Sequence, residues 1–327
     1  MSRVITGIAK RMMRLAEAYP PDPQLDVGGL SEVFYHPLFT NGSDADRDRI
    51  MRLSAQSRYE DEKAFPWDNY FGQPANRWVT GDALDLGCFT GGRAVAWAER
   101  YEPRSMAGVD VNDMFIEAAR RFAESSETSA DFRVGFGESI PWPDGSFDAI
   151  LSFDVLEHVR SVSETLRECW RVLRPGGHLL VVFPSYFHPM EHHLGLVTRT
   201  PGLQYVFTGS TLIQAYCQIL GERGAGAEWS SRHDSLAPWE RGNTINGTTA
   251  GEFGRLINEE NWSVELHARL PIGGVGRRVA AGKGKLLAML FGPLTRVPVL
   301  RDVALHRITY VLKKPGTAPS TDHGGRP

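Results

Sequence analysis

The hydrophobic pattern changes character near residue 79. Before it, residues 1–18 set Val4, Ile5, Ile8, Met12 and Leu15 at helical spacing among Arg3, Lys10, Arg11 and Arg14, the stripe of a surface helix. Pro20, Pro21, Asp22 and Pro23 then form a linker-like break, and the mixed acids and bases of 41–63 read as exposed helix. From 79 onward short apolar runs alternate with amphipathic ones. Ala83 to Leu86 reads as a buried strand ending in Gly87, and Gly92 to Tyr101 as a helix with Ala94, Val95, Trp97 and Ala98 apolar. Met106 to Val109 is a second strand, and Asn112 and Asp113 are N-caps for the helix that carries Met114, Phe115, Ala118, Ala119 and Phe122. Phe132 to Val134 and Phe147 to Phe153 are the third and fourth strands. Ser161 with Glu164 predicts a capping box before a helix with Val162, Leu166, Trp170 and Leu173 on one face. Arg174-Pro175-Gly176-Gly177 stops that helix, and Leu179 to Phe183 is the fifth strand. Thr249 with Glu252 predicts a second box ahead of Phe253, Leu256 and Ile257. The strands Trp262 to Arg269 and His306 to Val311 close the pattern. Such alternation implies βαβ units and a parallel sheet.

Residues 186–248 stand outside this regularity and read as an insertion over the active site, since loops of that length are usually functional. The tail from Pro315 to Pro327 is rich in Pro, Gly, Ser and Thr and is expected to be disordered.

Composition narrows the class without deciding it. The chain has 327 residues, 42% of them hydrophobic, and a formal net charge of -3; this is ordinary for a globular protein and gives no general reason to expect nucleic acid as a partner. Cys88, Cys169 and Cys217 are odd in number and lack CxxC spacing, which argues against a disulfide framework and for a reducing compartment. The sequon-like Asn246-Gly247-Thr248 then carries no weight. No run approaches the ~18 apolar residues of a membrane span, and residues 1–18 lack the apolar h-region of a signal peptide. The expected location is cytoplasmic.

The first strand runs into Asp85-Leu86-Gly87-Cys88-Phe89-Thr90-Gly91-Gly92. Gly87 permits a tight turn and close ligand approach, and Gly91 and Gly92 let a helix start against it. The second strand ends in Asp110, about 20 residues beyond the glycines, the usual place for a carboxylate that accepts both ribose hydroxyls. An adenosine-type ligand follows. A dinucleotide needs glycine where Phe89 stands, so that its pyrophosphate can reach the backbone. S-adenosylmethionine has no phosphate, and Asp85 is placed to organise its amino-acid end.

The segments ALDLGCFTGG, GVDVNDMF, IPWPDGSFDAILSFDVLEHV and LRECWRVLRPGGHLLVVFPS resemble, in order, those of the class I S-adenosylmethionine-dependent methyltransferases, in particular the small-molecule group typified by quinone-biosynthesis enzymes. The resemblance covers 83–185, about a third of the chain. It implies an α/β fold: a Rossmann-like, seven-stranded, mostly parallel sheet with helices on both faces, plus a lid insertion after strand 5. The expected organisation is a helical cap (1–78), a cofactor-binding core (79–185), the substrate insertion (186–248), the rest of the core with a basic amphipathic insertion (249–314), and the tail (315–327). The implied cofactor is S-adenosyl-L-methionine. Asp85, Gly87, Cys88, Phe89 and Gly91 would wrap its methionine half, Asp110 and Val111 its ribose, Phe136, Gly137 and Glu138 its adenine, while Asp154 would face the methyl group. Phe89 replaces a glycine usual in the family, and Phe136 an acid that often contacts the adenine amine; adenine is then held by packing, or Glu138 takes that role.

Methyl transfer is an in-line displacement at an activated carbon, so alignment supplies most of the rate; a hydroxyl acceptor adds the need for a base, commonly histidine. His158 follows the fourth strand directly, and Tyr186-Phe187-His188-Pro189-Met190-Glu191-His192-His193 leaves the fifth. His158, His188 and His192 are therefore the candidate bases, and His188 and His192 would share a face if that segment were helical. Three histidines and Glu191 also invite a metal reading, but Pro189 and the lack of a further distant ligand cluster weaken it, and no metal is assigned. Tyr205, Phe207, Tyr216 and Trp229 either form the insertion's own small core or wall a planar or sugar-like acceptor. In 271–314, Arg277, Arg278, Lys283, Lys285, Arg296, Arg301, Arg307, Lys313 and Lys314 face Asp302 alone around the apolar run 286–291. This is a solvated basic face or a peripheral membrane contact. The expected reaction is O-methylation of a small molecule. The alternatives are a glycan or lipid-linked acceptor at a membrane surface, and a catalytically silent binding protein that keeps the fold. Nucleic acid is not expected as a partner, because no basic-aromatic strand platform is present.

Overall fold

The computed structural model describes residues 2–18, 42–223, 245–275 and 283–316. The linker at 20–23, Trp229, Arg277, Arg278 and residues 317–327 of the tail lie outside the described residues.

The sheet contains β1 (Asp82–Leu86), β2 (Ser105–Asp110), β3 (Ala130–Val134), β4 (Phe147–Phe153), β5 (Leu173–Phe183), β6 (Ser263–Pro271) and β7 (Leu305–Lys313), in the order β3-β2-β1-β4-β5-β7-β6. The strands β1 to β5 pair in parallel, and β7 lies antiparallel between β5 and β6. From β1 the chain builds outward through β2 and β3, and from β4 outward on the other side. The connections after β1 and β4 therefore diverge and leave a crevice at their carboxyl ends.

Alternation along each strand divides the core between the two faces of the sheet. Leu84, Leu86, Ile150, Leu179, Val181 and Phe183 pack under α6 (Val162–Val172) and α8 (Ala250–Glu259), through Leu166 and Phe253. Ala83, Ala149, Leu151, Phe153, Leu180 and Val182 pack on the opposite face under α4 (Gly92–Tyr101) and α5 (Asp113–Ser125), through Val95, Trp97, Ile116 and Phe122. Asp85 falls on the second face by the same alternation. The helix α2 (Asp44–Ala64) starts with a complete capping box of Ser43 and Asp46 and crosses α4 so closely that a Cβ on Gly92 would stand 1.9 Å from the Ala55 carbonyl oxygen. A four-residue helix, α3 (Asp68–Phe71), precedes β1.

Several predicted boundaries shift for physical reasons. The strand β5 begins at Leu173, which pairs with Phe147; Arg174 to Gly177 bulge out before the ladder resumes at His178 opposite Ala149. The predicted box at Ser161 is half made. Its hydroxyl accepts from the Glu164 amide, but its own amide donates to Glu138. The insertion holds a 14-residue helix, α7 (Gly209–Glu222), absent from the predicted pattern because its only charged residue is Glu222 and both faces look alike. Leu212, Ala215, Tyr216 and Ile219 of α7 join Phe207 and Leu203 around Ala9 and Met13 of α1 (Ser2–Met13). Phe207 and Tyr216 thus belong to the insertion's own core, while Tyr205 stays exposed beside Phe187. Thr6 donates to Gln214 at 2.7 Å, and Lys10 and Arg14 both pair with Glu222. The N-terminal helix therefore clamps the insertion.

Further along are α9 (Lys283–Phe291) and α10 (Pro298–Ala304). Among the described residues no helix is long and apolar enough to cross a membrane.

Candidate active site

The crevice between β1 and β4 collects most of the sequence-predicted residues. Gly87 turns the chain out of β1 at φ 75°, and a Cβ there would stand 2.3 Å from Val155, so the β1 and β4 loops touch because this residue has no side chain. Cys88 is buried, and burial pushes its thiol well above the ordinary range. Gly91 caps α4 with φ 79°. Phe89 occupies the left-handed region at φ 51°, where a non-glycine residue costs roughly 1 kcal/mol. Its ring meets Phe115 at 4.4 Å and joins Ile50, Met51 and Ala118 between α2 and α5, which offsets that cost.

Asp110, at the end of β2, locks the loop. Its carboxylate accepts from the Phe89 amide and the Asn112 amide, each at 3.0 Å. Burial raises its pKa to about 6 against the pull of those two amides. Asp85 is fully buried; one oxygen receives Arg93 at 2.9 Å, while Oδ2 has no hydrogen-bond partner. Burial raises the Asp85 pKa, with Arg93 opposing it. Arg93 also donates to the carbonyls of Gly87 and Phe153 and lies 4.9 Å from the Trp97 ring centre. It was missing from the predicted site, although a lone arginine beside Ala94, Val95 and Trp97 is the signal of a buried charge needing a partner. Arg58, Glu62, Trp67, Tyr70 and Arg93 line a cavity of about 170 Å³ next to this pair.

On the β2–β3 side, Asp110 and Val134 are register partners, so Val111 and Phe136 leave the same end of the sheet. Each is 55% exposed, an unusual waste of apolar surface unless something flat lies against it. Gly137 is buried, and a Cβ there would meet Thr165 and Val159 at 3.1 and 3.2 Å. One carboxylate oxygen of Glu138 accepts from the Arg160 and Ser161 amides at 2.7 and 3.1 Å and so anchors the start of α6.

The β4 loop supplies the other wall. Asp154 adopts φ 54° and its amide donates to Val182. Glu157 is buried, and neither of its carboxylate oxygens has a hydrogen-bond partner. Asn246 pins this loop by donating to the carbonyls of Leu156 and Val159 at 2.6 and 2.9 Å. His158 stands 4.0 Å from Glu157, with its side chain 37% exposed, and its ring centre is 4.9 Å from that of His193. His193 also has a positive φ of 54°. Among the described residues, Phe89, Asp154 and His193 are left-handed non-glycines in the crevice, the kind of strain that folded structure holds at working sites.

Two candidate bases, His188 and His192, are buried. The segment 186–193 is a series of turns, so His188 and His192 share no helix face. His192 is buried with one ring nitrogen on the Thr200 carbonyl at 3.0 Å and the other accepting from the Leu194 amide at 3.2 Å. It has no lone pair left for a substrate proton. His188 is buried, and burial lowers its pKa to about 4, so it is neutral and shielded. Arg307 corrects another reading. Counted in the sequence as part of a basic surface, it is buried on β7, paired with Glu191 at 2.6 Å and 3.3 Å from Asp154. Burial pushes the Glu191 carboxyl up, and the Arg307 guanidinium with the neighbouring imidazoles outweighs it and draws its pKa down to about 2. His306 and Tyr70 stack at 6.1 Å beside it.

Comparison with known proteins places this geometry. A methyltransferase domain family matches residues 84–181. Norajmaline N-methyltransferase of Rauvolfia serpentina is 30% identical over 164 residues, 49% of this chain and 51% of that protein. The ubiquinone biosynthesis O-methyltransferase of Methylocella silvestris is 37% identical over 121 residues, 37% of this chain and 45% of the other. The chain thus spans about half, or less, of the length of the curated relatives it matches. An S-adenosylmethionine-dependent methyltransferase from Mesorhizobium loti superposes with a TM-score of 0.48 at 18% identity, covering 75% of this chain and 99% of that one.

Proposed function

We propose, for a chain whose residues 84–181 belong to the class I S-adenosylmethionine-dependent methyltransferases, that it binds this cofactor in the β1–β4 crevice and methylates a hydroxyl oxygen of a small molecule. The observation that carries the reading is the pair of strand-end carboxylates. Asp110 has spare lone pairs for two ribose hydroxyls, and Asp85 keeps one buried oxygen without a partner, which fits an ammonium group. Arg93, bonded to the Gly87 carbonyl, and Arg58, which lines the same cavity, suit the carboxylate of the same amino-acid end. Val111 and Phe136 flank the nucleoside, and the Gly137 backbone meets the adenine ring. The bound cofactor supplies an activated methyl group. The chain's own residues then orient the acceptor and exclude water, with the insertion and α1 as one wall and Trp67 and Tyr70 as another.

Oxygen is preferred over nitrogen because imidazole and carboxylate groups gather where a hydroxyl proton must leave. His158 is the candidate base that is partly exposed there. The relatives include both N- and O-methyltransferases, so the acceptor atom has to be measured. With labelled cofactor and a panel of phenols, alcohols and amines, the expected product is an O-methyl ether. His158→Ala is expected to lower kcat about a hundredfold or more with unchanged cofactor affinity. Transfer to amines alone would overturn the assignment to oxygen.

A second reading puts the acceptor at a membrane surface. In α9, Leu286, Met289 and Leu290 are exposed, Met289 by 75%, with Lys285 and Arg296 nearby in sequence. That is more apolar surface than a solvated basic face needs. Arg307, Lys313 and Lys314 do not add to it, since they are engaged with Glu191, Glu265 and the carbonyls of Trp170 and Leu173. Sedimentation with anionic liposomes, reduced by Leu286→Ser with Met289→Ser, is the expected result for this reading; a chain that stays in the supernatant removes it.

A further inference from the structure

We propose that Glu157, His158 and His193 hold one divalent transition-metal ion beside the acceptor end of the crevice. The three residues come from the β4 loop and from the insertion, and they offer ligand atoms that all lie within 4.8 Å of one another. Ligands on a tetrahedral ion with bonds of about 2.1 Å stand roughly 3.4 Å apart, so the set has to draw in by about 1.4 Å or less.

An independent observation points to a ligand. Glu157 is only 2% exposed, and both its carboxylate oxygens lack hydrogen-bond partners in the described structure. A buried carboxylate with neither oxygen bonded is costly, and a cation between it and two imidazoles would satisfy it. The surroundings match what metal-bound imidazoles require. Glu191 lies 3.8 Å from His193 Nε2 and is itself held by Arg307, the outer-shell carboxylate that fixes a ligand ring. Asn246 fixes the loop bearing Glu157 and His158.

Two imidazoles with one carboxylate suit zinc or its first-row neighbours rather than magnesium, whose preferred ligands are oxygens. Three protein ligands leave a coordination position open. The use of that position rests on the oxygen reading above. With the ion bound, His158 is a ligand and no longer the base: an acceptor hydroxyl at the open position loses its proton more readily, that proton goes to solvent, and the oxygen lone pair goes to the methyl carbon as its bond to sulfur breaks. Sequence reasoning saw the histidines of 188–193 but no distant partner for them; Glu157 and His158 are that partner, and of the three histidines only His193 reaches it.

The test is titration of the chelator-stripped full chain with cobalt(II), read by its visible d–d absorption, with zinc as competitor. One equivalent bound, displaced by zinc, and weakened more than about a hundredfold in both Glu157→Gln and His193→Ala is expected. His178→Gln, in the middle of β5 and paired with Glu265, should bind as the wild type does. Absence of cobalt binding, or binding that neither crevice variant weakens, overturns the site; thermal melts establish that each variant is folded. Titrating the same samples with S-adenosylhomocysteine separates the two claims. Binding of that nucleoside without cobalt overturns the metal site alone, and cobalt binding without it upholds the metal site and overturns the methyltransferase reading.

Discussion

Asp110→Ala is expected to weaken S-adenosylmethionine binding about a hundredfold or more. Hydrogen bonds to a charged group contribute about 1.5–3 kcal/mol each, and two ribose hydroxyls lose theirs together. The loop suffers as well, because the Phe89 and Asn112 amides lose a shared acceptor and Phe89 has a left-handed backbone to maintain. The chain should stay folded, since the strands β1 and β2 keep their ladder. Calorimetric titration of the variant, with a melting curve for folding, checks both parts. Protonation should imitate the substitution. The Asp110 pKa is raised to about 6, chiefly by burial, so the carboxylate is charged above that value and neutral below it. Affinity should be level between about pH 7 and 8 and fall as the pH drops through about 6. Asp110→Asn should abolish that dependence, although its NH2 group then faces one of the two amides that the carboxylate accepts from.

Arg93→Met is expected to destabilise the fold by about 3–5 kcal/mol, the usual cost of leaving one member of a buried ion pair without its partner. Asp85 is fully buried on the α4 face, and Arg93 is its hydrogen-bonded cation. The same guanidinium satisfies the Gly87 and Phe153 carbonyls, which close the β1 and β4 strands. Methionine fills the volume beside Trp97 without the charge. Adding Asp85→Asn to this variant should restore much of the loss, because the penalty lies in the stranded carboxylate rather than in lost contacts. Urea denaturation of the single and double variants measures both. Equal stability of wild type and Arg93→Met would contradict a buried pair here.

The cofactor half was legible in the sequence because its signals are local. The strand β1, the Gly87 turn, α4 and Asp110 follow one another within residues 82–110, and each is marked by a period, a glycine or a cap. Gly92 to Tyr101 and Phe147 to Phe153 match their predicted limits, since a left-handed cap bounds the first and polar turns the second. The anchoring role of Glu138 was not legible, because nothing near it in sequence says that the Arg160 and Ser161 amides need an acceptor. The acceptor half depends on contacts between distant stretches. Arg307 looks like surface charge in a basic tail, and only the placement of β7 beside β5 brings it to Glu191 and Asp154. Four-residue spacing put His188 and His192 on one face, but Pro189 begins a run of turns that sends His192 inward and His193 toward His158. The helix α7 was missed for want of charge on its outer face, while the stripe of α1 marked a helix that packs on the domain but not α7 as the partner it packs on.

Titration of the wild-type chain with S-adenosylhomocysteine tests the central claim most directly. One molecule bound per chain in the micromolar range, with a raised melting temperature, is the expected result. A folded chain that gives no binding heat and no shift in melting would contradict the cofactor site at Asp85 and Asp110 and leave a silent methyltransferase fold.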